Sequence, residues 1–293
     1  MKSLIFKVLL LCIVKYGAAA SVSDVAERTV TLKTIALDNG IVLEYAEQGH
    51  QNGLPVILLH GFTDSWRSFE PVLPYLSSHM HVYAITQRGH GNSSKPNTGY
   101  NPKDFADDVA AFMRGMNLKS ALLVGHSMGS TVAQCFAVNY PELTTGIVLV
   151  SAFADYEQPH VSDFISQIQQ MNDPVDSMFI AEFQSGTIKK PVSSELLHTF
   201  IGESMKVPAR VWRDVSAQWV QVDFSVALKN YDKPALIIWG DQDEICLYRD
   251  QKVLLESLRH SNLITYEGIG HALHWEEPER FALHLTQFIS NID

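Results

Sequence analysis

The sequence predicts an α/β fold: a doubly wound, mostly parallel sheet of eight strands with a helical segment inserted after the sixth. Three observations carry this expectation. Short apolar runs, of the kind that parallel strands show when both faces are buried, alternate with helical patterns. The alternation stops at Ser151 and resumes at Pro234. The order of the runs begins with two alternating segments around a turn signal, as an antiparallel hairpin would. At 293 residues and 46% hydrophobic content the chain can bury one large core, and a second separate domain is not required.

Val30 to Ala36 and Ile41 to Ala46 flank Asp38-Asn39-Gly40 and form the expected hairpin. Val56 to Leu59, Val82 to Thr86, Ala121 to Val124 and Ile147 to Val150 are the next four strands, separated by helical patterns at Phe69 to Leu76, Phe105 to Met116 and Val132 to Tyr140. The stretch from Ser151 to Pro234 is far longer than an unstructured loop in a compact domain, so it should be helical. Within it Phe164, Ile165, Ile168 and Met171 recur at helical spacing, as do Met178, Phe179 and Phe183, and Val211, Trp212, Val215 and Trp219. Ala235 to Trp239 and Asn262 to Tyr266 are the last two strands, with a helical stretch from Tyr248 to Leu258 between them. Glu277-Pro278-Glu279 opens a final helix whose Phe281, Leu285, Phe288 and Ile289 fall on one face.

Met1 to Ala20 combines lysines at 2 and 7, the apolar run Val8 to Val14 and a small-residue end, Gly17-Ala18-Ala19-Ala20. This reads as a signal peptide cleaved after Ala20, which places the mature protein outside the cell or in the periplasm. Lys15 cuts the apolar run well below the ~20 residues a membrane crossing needs, so no stable membrane insertion is expected. The formal charge of −10 argues against a phosphate-binding surface and hence against nucleic acid as a partner. Cys135 and Cys246 are the cysteines beyond that segment, and their spacing suggests neither a disulfide framework nor a zinc site.

The chemistry concentrates in Gly125-His126-Ser127-Met128-Gly129, between an apolar strand and a helical stretch. A serine between two glycines at such a junction reads as a nucleophile elbow, whose tight turn pushes the hydroxyl out above the sheet edge. The bare string arises by chance in roughly a tenth of chains this long, so the flanking elements carry the reading. Pro55 to Leu59 ends in His60-Gly61-Phe62, Ala235 to Trp239 ends in Gly240-Asp241-Gln242-Asp243, and Gly268-Ile269-Gly270-His271 follows the last strand. Ser, then Asp, then His is the order of one hydrolase fold and differs from the two protease orders.

On these segments the chain resembles the α/β-hydrolase superfamily over residues 30 to 290 or so, as does the loop Arg88-Gly89-His90-Gly91-Asn92-Ser93. It departs in having Thr86 where an aspartate is frequent, which touches loop support. The resemblance implies Ser127 as nucleophile, His271 as base and Asp243 as the acid that orients it. His274 is the second choice of base, and Asp155 the second choice of acid, while Asp241 is expected to brace its loop. It implies an oxyanion hole from the backbone N–H groups of Phe62 and Met128, supported by His60 and Gly61. It also implies a helical cap at residues 152–230 over a core of residues 21–151 and 231–293. Phe153, Phe183, Trp212 and Trp219 are the candidate substrate contacts.

A serine elbow, in place of aspartate, excludes the ester-intermediate chemistry of epoxide hydrolases and haloalkane dehalogenases. No H-E-x-x-H, P-loop or dinucleotide fingerprint is present, so no metal and no cofactor are expected. The expected activity is hydrolysis of a small carboxylic ester or lactone with an apolar body through an acyl-enzyme. Two alternatives share the motifs: carbon–carbon bond hydrolysis or cofactor-free perhydrolysis on the same triad, and a ligand receptor with a vestigial triad.

Overall fold

A computed structural model describes residues 29–292 of the chain. The signal segment expected at residues 1–20 lies outside the described residues. Eight strands form one sheet: β1 (Thr31–Ala36), β2 (Val42–Gly49), β3 (Leu54–Leu59), β4 (Met80–Ile85), β5 (Ala121–His126), β6 (Thr144–Val150), β7 (Ala235–Gly240) and β8 (Ser261–Tyr266). Their order across the sheet is β1-β2-β4-β3-β5-β6-β7-β8. β2 pairs antiparallel with β1 and with β4, and every other neighbouring pair is parallel.

Strand side chains alternate between two faces, and both faces are covered. Ile57, Leu59, Leu123, Ile147, Leu149 and Ile237 join the core under α1 (Pro102–Gly115), α2 (Met128–Asn139) and α8 (Tyr248–Ser257). Val56, Leu58, Val124, Val148, Val150 and Ile238 join the opposite core with Phe69, Leu73 and the Phe281 and Leu285 side chains of α10 (Pro278–Ser290). Fully apolar strands such as β3 follow from this two-sided burial. Asn101 and Asp104 form a capping box that starts α1, and Pro102 and Pro278 sit in the first turns of α1 and α10, where a missing N–H costs nothing.

The helix expected from Phe69 to Leu76 is not formed. The segment holds two short 3-10 turns, Trp66–Phe69 and Leu73–Tyr75. Pro71 and Pro74 remove two N–H donors and their rings block continuation, so apolar spacing alone overstated the element. Between β6 and β7 the chain is helical, with α3 (Pro159–Ile168), α4 (Ser177–Gly186), α5 (Ser194–Ser204), α6 (Ala209–Trp219) and the single turn α7 (Ser225–Leu228). A further single turn, α9 (Leu273–Glu276), follows β8. Among the described residues no helix is long and apolar enough to cross a membrane.

Candidate active site

Strand register places the functional segments side by side. Leu59 of β3 pairs with Gly125 of β5, so the residues after each strand, His60-Gly61-Phe62 and Ser127, leave the same sheet edge as neighbours. Gly240 of β7 pairs with Tyr266 of β8, which brings the Asp243 and His271 loops together at that edge.

Ser127 has φ 51° and ψ −115°, a backbone conformation that L-residues rarely adopt. The neighbouring glycines are required by contact: a Cβ on Gly125 would lie 2.1 Å from the Gly129 carbonyl oxygen, and one on Gly129 would lie 2.1 Å from that of Leu59. The backbone N–H of Ser127 donates to Val150 (2.9 Å), anchoring the turn to β6. Among the described residues Ser127 Oγ makes no hydrogen bond, and neither do the N–H groups of Phe62 and Met128. Met128 opens α2, so its N–H is one of the helix's unpaired N-terminal donors.

His271 Nδ1 lies 2.9 Å from Asp243 Oδ2, and both side chains are buried. The other carboxylate oxygen, Oδ1, accepts the N–H groups of Ile245 and Cys246, each at 2.9 Å. Oδ1 is taken by the two backbone donors and Oδ2 faces the ring, so Nδ1 is the imidazole donor and Nε2 is left with its lone pair. Ser127 and His271 line one cavity of about 380 Å³. Asp155 is bound elsewhere, to Arg249 (2.5 Å), and Asp241 accepts the Gly268 N–H (2.7 Å), which joins the loop after β7 to the loop after β8. Asp243, Cys246 and His271 offer atoms within 4.8 Å of one another. The Asp243 carboxylate and His271 Nδ1 are already paired with each other, and burial pushes the Cys246 thiol well above its usual range, so the trio suits hydrogen bonding and not coordination.

The other histidines near the site are held neutral by burial. His60 Nε2 accepts the Gln87 N–H (2.9 Å) while Nδ1 donates to the Gly61 carbonyl (2.8 Å), which ties the loop after β3 to the loop after β4. Thr86 supports the same region: its Oγ1 accepts the Trp66 N–H (3.1 Å). His126 donates from Nε2 to the His271 carbonyl (3.1 Å), and burial holds it, like His60, well below the usual imidazole range. His274 is buried behind this layer against Ser68 Oγ (3.0 Å), with burial lowering it to about 3. It is 206 residues from Ser68 in the chain and does not line the cavity.

Phe153, Phe183 and Trp219 line the cavity, as does Phe62. Trp212 does not: it is fully buried one layer back, its ring 5.0 Å from Phe62 and 5.6 Å from Phe183. The spacing that put Trp212 on the apolar face of α6 could not tell an inner from an outer layer, and the bulk of Phe62 and Phe183 screens it. Sequence reasoning missed Tyr156, Trp275 and the polar residues Asp64 and Gln184, all on the cavity wall. Asp64 carried a signal, since it stands two residues after Phe62; Gln184 carried none.

A model of the Alpha/beta hydrolase family matches residues 56–283. The chain therefore belongs to this family, with its eight-stranded fold, and is an α/β-hydrolase enzyme. It is 28% identical to a non-heme chloroperoxidase of Streptomyces lividans, over 88% of this chain and 99% of that one. It is 25% identical to a bifunctional esterase/perhydrolase of Acinetobacter calcoaceticus, over 87% and 98%. The solved structure of an esterase from Exiguobacterium antarcticum superposes with a TM-score of 0.81 at 21% identity, covering 88% of this chain and 99% of that one.

Proposed function

We propose that the enzyme is a serine hydrolase of small carboxylic esters or lactones with an apolar body, with Ser127, His271 and Asp243 as its triad. The observation that carries this is one juxtaposition. Ser127, whose Oγ has no hydrogen-bond partner among the described residues, shares a cavity wall with an imidazole whose proton is fixed on the far nitrogen by a buried carboxylate.

In this reading Ser127 Oγ attacks the substrate carbonyl carbon while His271 Nε2 takes its proton. Asp243 stabilises the imidazolium that results. The carbonyl oxygen becomes an oxyanion between the N–H groups of Phe62 and Met128, each such donor contributing ~3–4 kcal/mol to lowering the barrier. His271 then protonates the departing alkoxide, leaving an acyl-Ser127 ester. Water, deprotonated by the same imidazole, cleaves that ester, releases the acid and restores Ser127. The apolar wall, with Phe62, Phe153, Phe183 and Trp219, suits the hydrocarbon part of the substrate, and residues 152–230 act as a cap. Relatives named chloroperoxidase and esterase/perhydrolase favour a second use of the same acyl-enzyme, its cleavage by hydrogen peroxide to give a peracid.

The test is a panel of aryl esters and lactones of increasing chain length, with Ser127→Ala as control, beside labelling by a fluorophosphonate. Turnover lost in the variant and labelling at Ser127 support the reading. Turnover that survives Ser127→Ala, or absence of the label from Ser127, refutes it.

A further inference from the structure

The loop that follows β3 contains a backbone conformation that needs outside support. Thr63, next to Phe62, has φ 66° although it is β-branched, and such residues stay in the left-handed region only where their surroundings over-determine them. The support comes from the helical segment between β6 and β7. Gln184 on α4 donates from Nε2 to Asp64 Oδ1 (3.0 Å) and to Ser204 Oγ on α5 (2.7 Å). Ser204 Oγ lies 2.8 Å from Thr63 Oγ1. The second Asp64 oxygen accepts from Ser68 Oγ (3.1 Å), so both sides of the carboxylate are held. Thr63, Asp64, Gln184 and Ser204 are all buried, where the low local dielectric strengthens these hydrogen bonds.

We infer that Gln184 and Ser204 are positioning residues: clasped onto Thr63 and Asp64, they set the direction of the Phe62 N–H, which makes the inserted helices a working part of the oxyanion site. The inference rests on the serine-hydrolase reading for its catalytic consequence but not for the clasp itself. Its geometric content is that the loop from Gly61 to Trp66 owes its conformation to contacts 120 and 141 residues away in the chain. Its catalytic content is that weakening the clasp lowers kcat and leaves KM almost unchanged, because the oxyanion forms only after the substrate is bound.

The test is a cycle of Gln184→Glu, Asp64→Asn and the double variant, made in the full chain. Gln184→Glu faces a carboxylate with a carboxylate and breaks the clasp. Adding Asp64→Asn restores a donor–acceptor pair with the roles exchanged. Expected is a fall in kcat of about 10- to 100-fold in Gln184→Glu, less than the loss of a whole oxyanion donor, with KM within about threefold. The double variant returns to within about fivefold of Asp64→Asn alone. Amide hydrogen exchange of residues 61–66 is measured on the same proteins, with Ser204→Ala as a milder variant should Gln184→Glu fail to fold. Exchange should quicken about tenfold or more in the broken variants and recover in the double variant. Unchanged exchange would overturn the clasp whether or not the enzyme cleaves esters. A loss confined to KM, or no recovery in the double variant, would overturn the positioning role. If wild type cleaves no ester while exchange follows the cycle, the clasp stands and the hydrolase reading is what fails.

Discussion

Replacing Ser127 by glycine should stabilise the protein while abolishing its activity. Serine at φ 51° and ψ −115° occupies a region that glycine enters freely and that costs another residue about 2–3 kcal/mol. Glycine also loosens the unfolded chain, which offsets about 0.4–1 kcal/mol of the gain. No hydrogen bond is lost, because Ser127 Oγ has no partner among the described residues. The net expectation is a gain of about 1–2 kcal/mol, or a rise in Tm of roughly 2–4 °C for a domain of this size. Ser127→Ala is the control: it keeps Cβ and the strain, so its Tm should stay within about 1 °C of wild type. Both variants should be inactive. Thermal unfolding followed by circular dichroism, together with urea titration, measures the difference. If Ser127→Gly melts at or below wild type, strain is not stored at the elbow and the argument from its dihedral angles is wrong.

Asp243→Asn should lower kcat by about 10³–10⁴-fold with the fold intact, because an amide no longer stabilises the imidazolium; near-normal turnover in a steady-state assay would move the acid elsewhere. Burial raises Asp64 to about 6, above its value in an unfolded chain, with Glu203 adding to the rise and Gln184, Ser68 and His271 opposing it. The folded state thus holds a proton that the unfolded state releases, so this contribution is full below about pH 4 and is lost as pH rises through 6. Denaturant titrations from pH 4.5 to 7.5 should show about 2 kcal/mol of that pH-dependent stability disappearing in Asp64→Asn, and an unaltered pH dependence would refute it. Asp64, Glu182 and Glu244 are on the cavity lining, which includes no lysine or arginine. Aryl esters carrying a free carboxylate should therefore show kcat/KM at least about 10-fold below neutral isosteres; equal values would contradict the charge argument. Material secreted by an expressing cell should begin at Ser21 on N-terminal sequencing, and retention of Met1 would rule out the cleaved signal.

Much of the fold could be read along the chain. The central strands of the sheet announce themselves within a few residues, as Val56 to Leu59 and Ala121 to Val124 do, because burial on both faces leaves only apolar side chains there. The reading failed where local chemistry competed with pattern: Pro71 and Pro74 turned an apparent helix into two 3-10 turns. It also failed where depth mattered. Trp212 and Trp219 share one face of α6, yet Trp219 reaches the cavity and Trp212 stops behind Phe62. Depth depends on what packs in front, which no period in the sequence records.

The sequence by itself determined the succession of strands along the chain and the serine set between two glycines at a strand-to-helix junction. Both are short-range matters of turn sterics and apolar patterning, whereas Asp243 and His271 were expected only from the family resemblance. Tertiary structure alone decided that Asp243, and not Asp155, meets His271 Nδ1. It alone decided that Gln184 and Ser204 reach back to Asp64 and Thr63. These contacts join segments that only the assembled sheet and its inserted helices bring within 3 Å, and a hydrogen bond between distant segments leaves no periodic trace in either one.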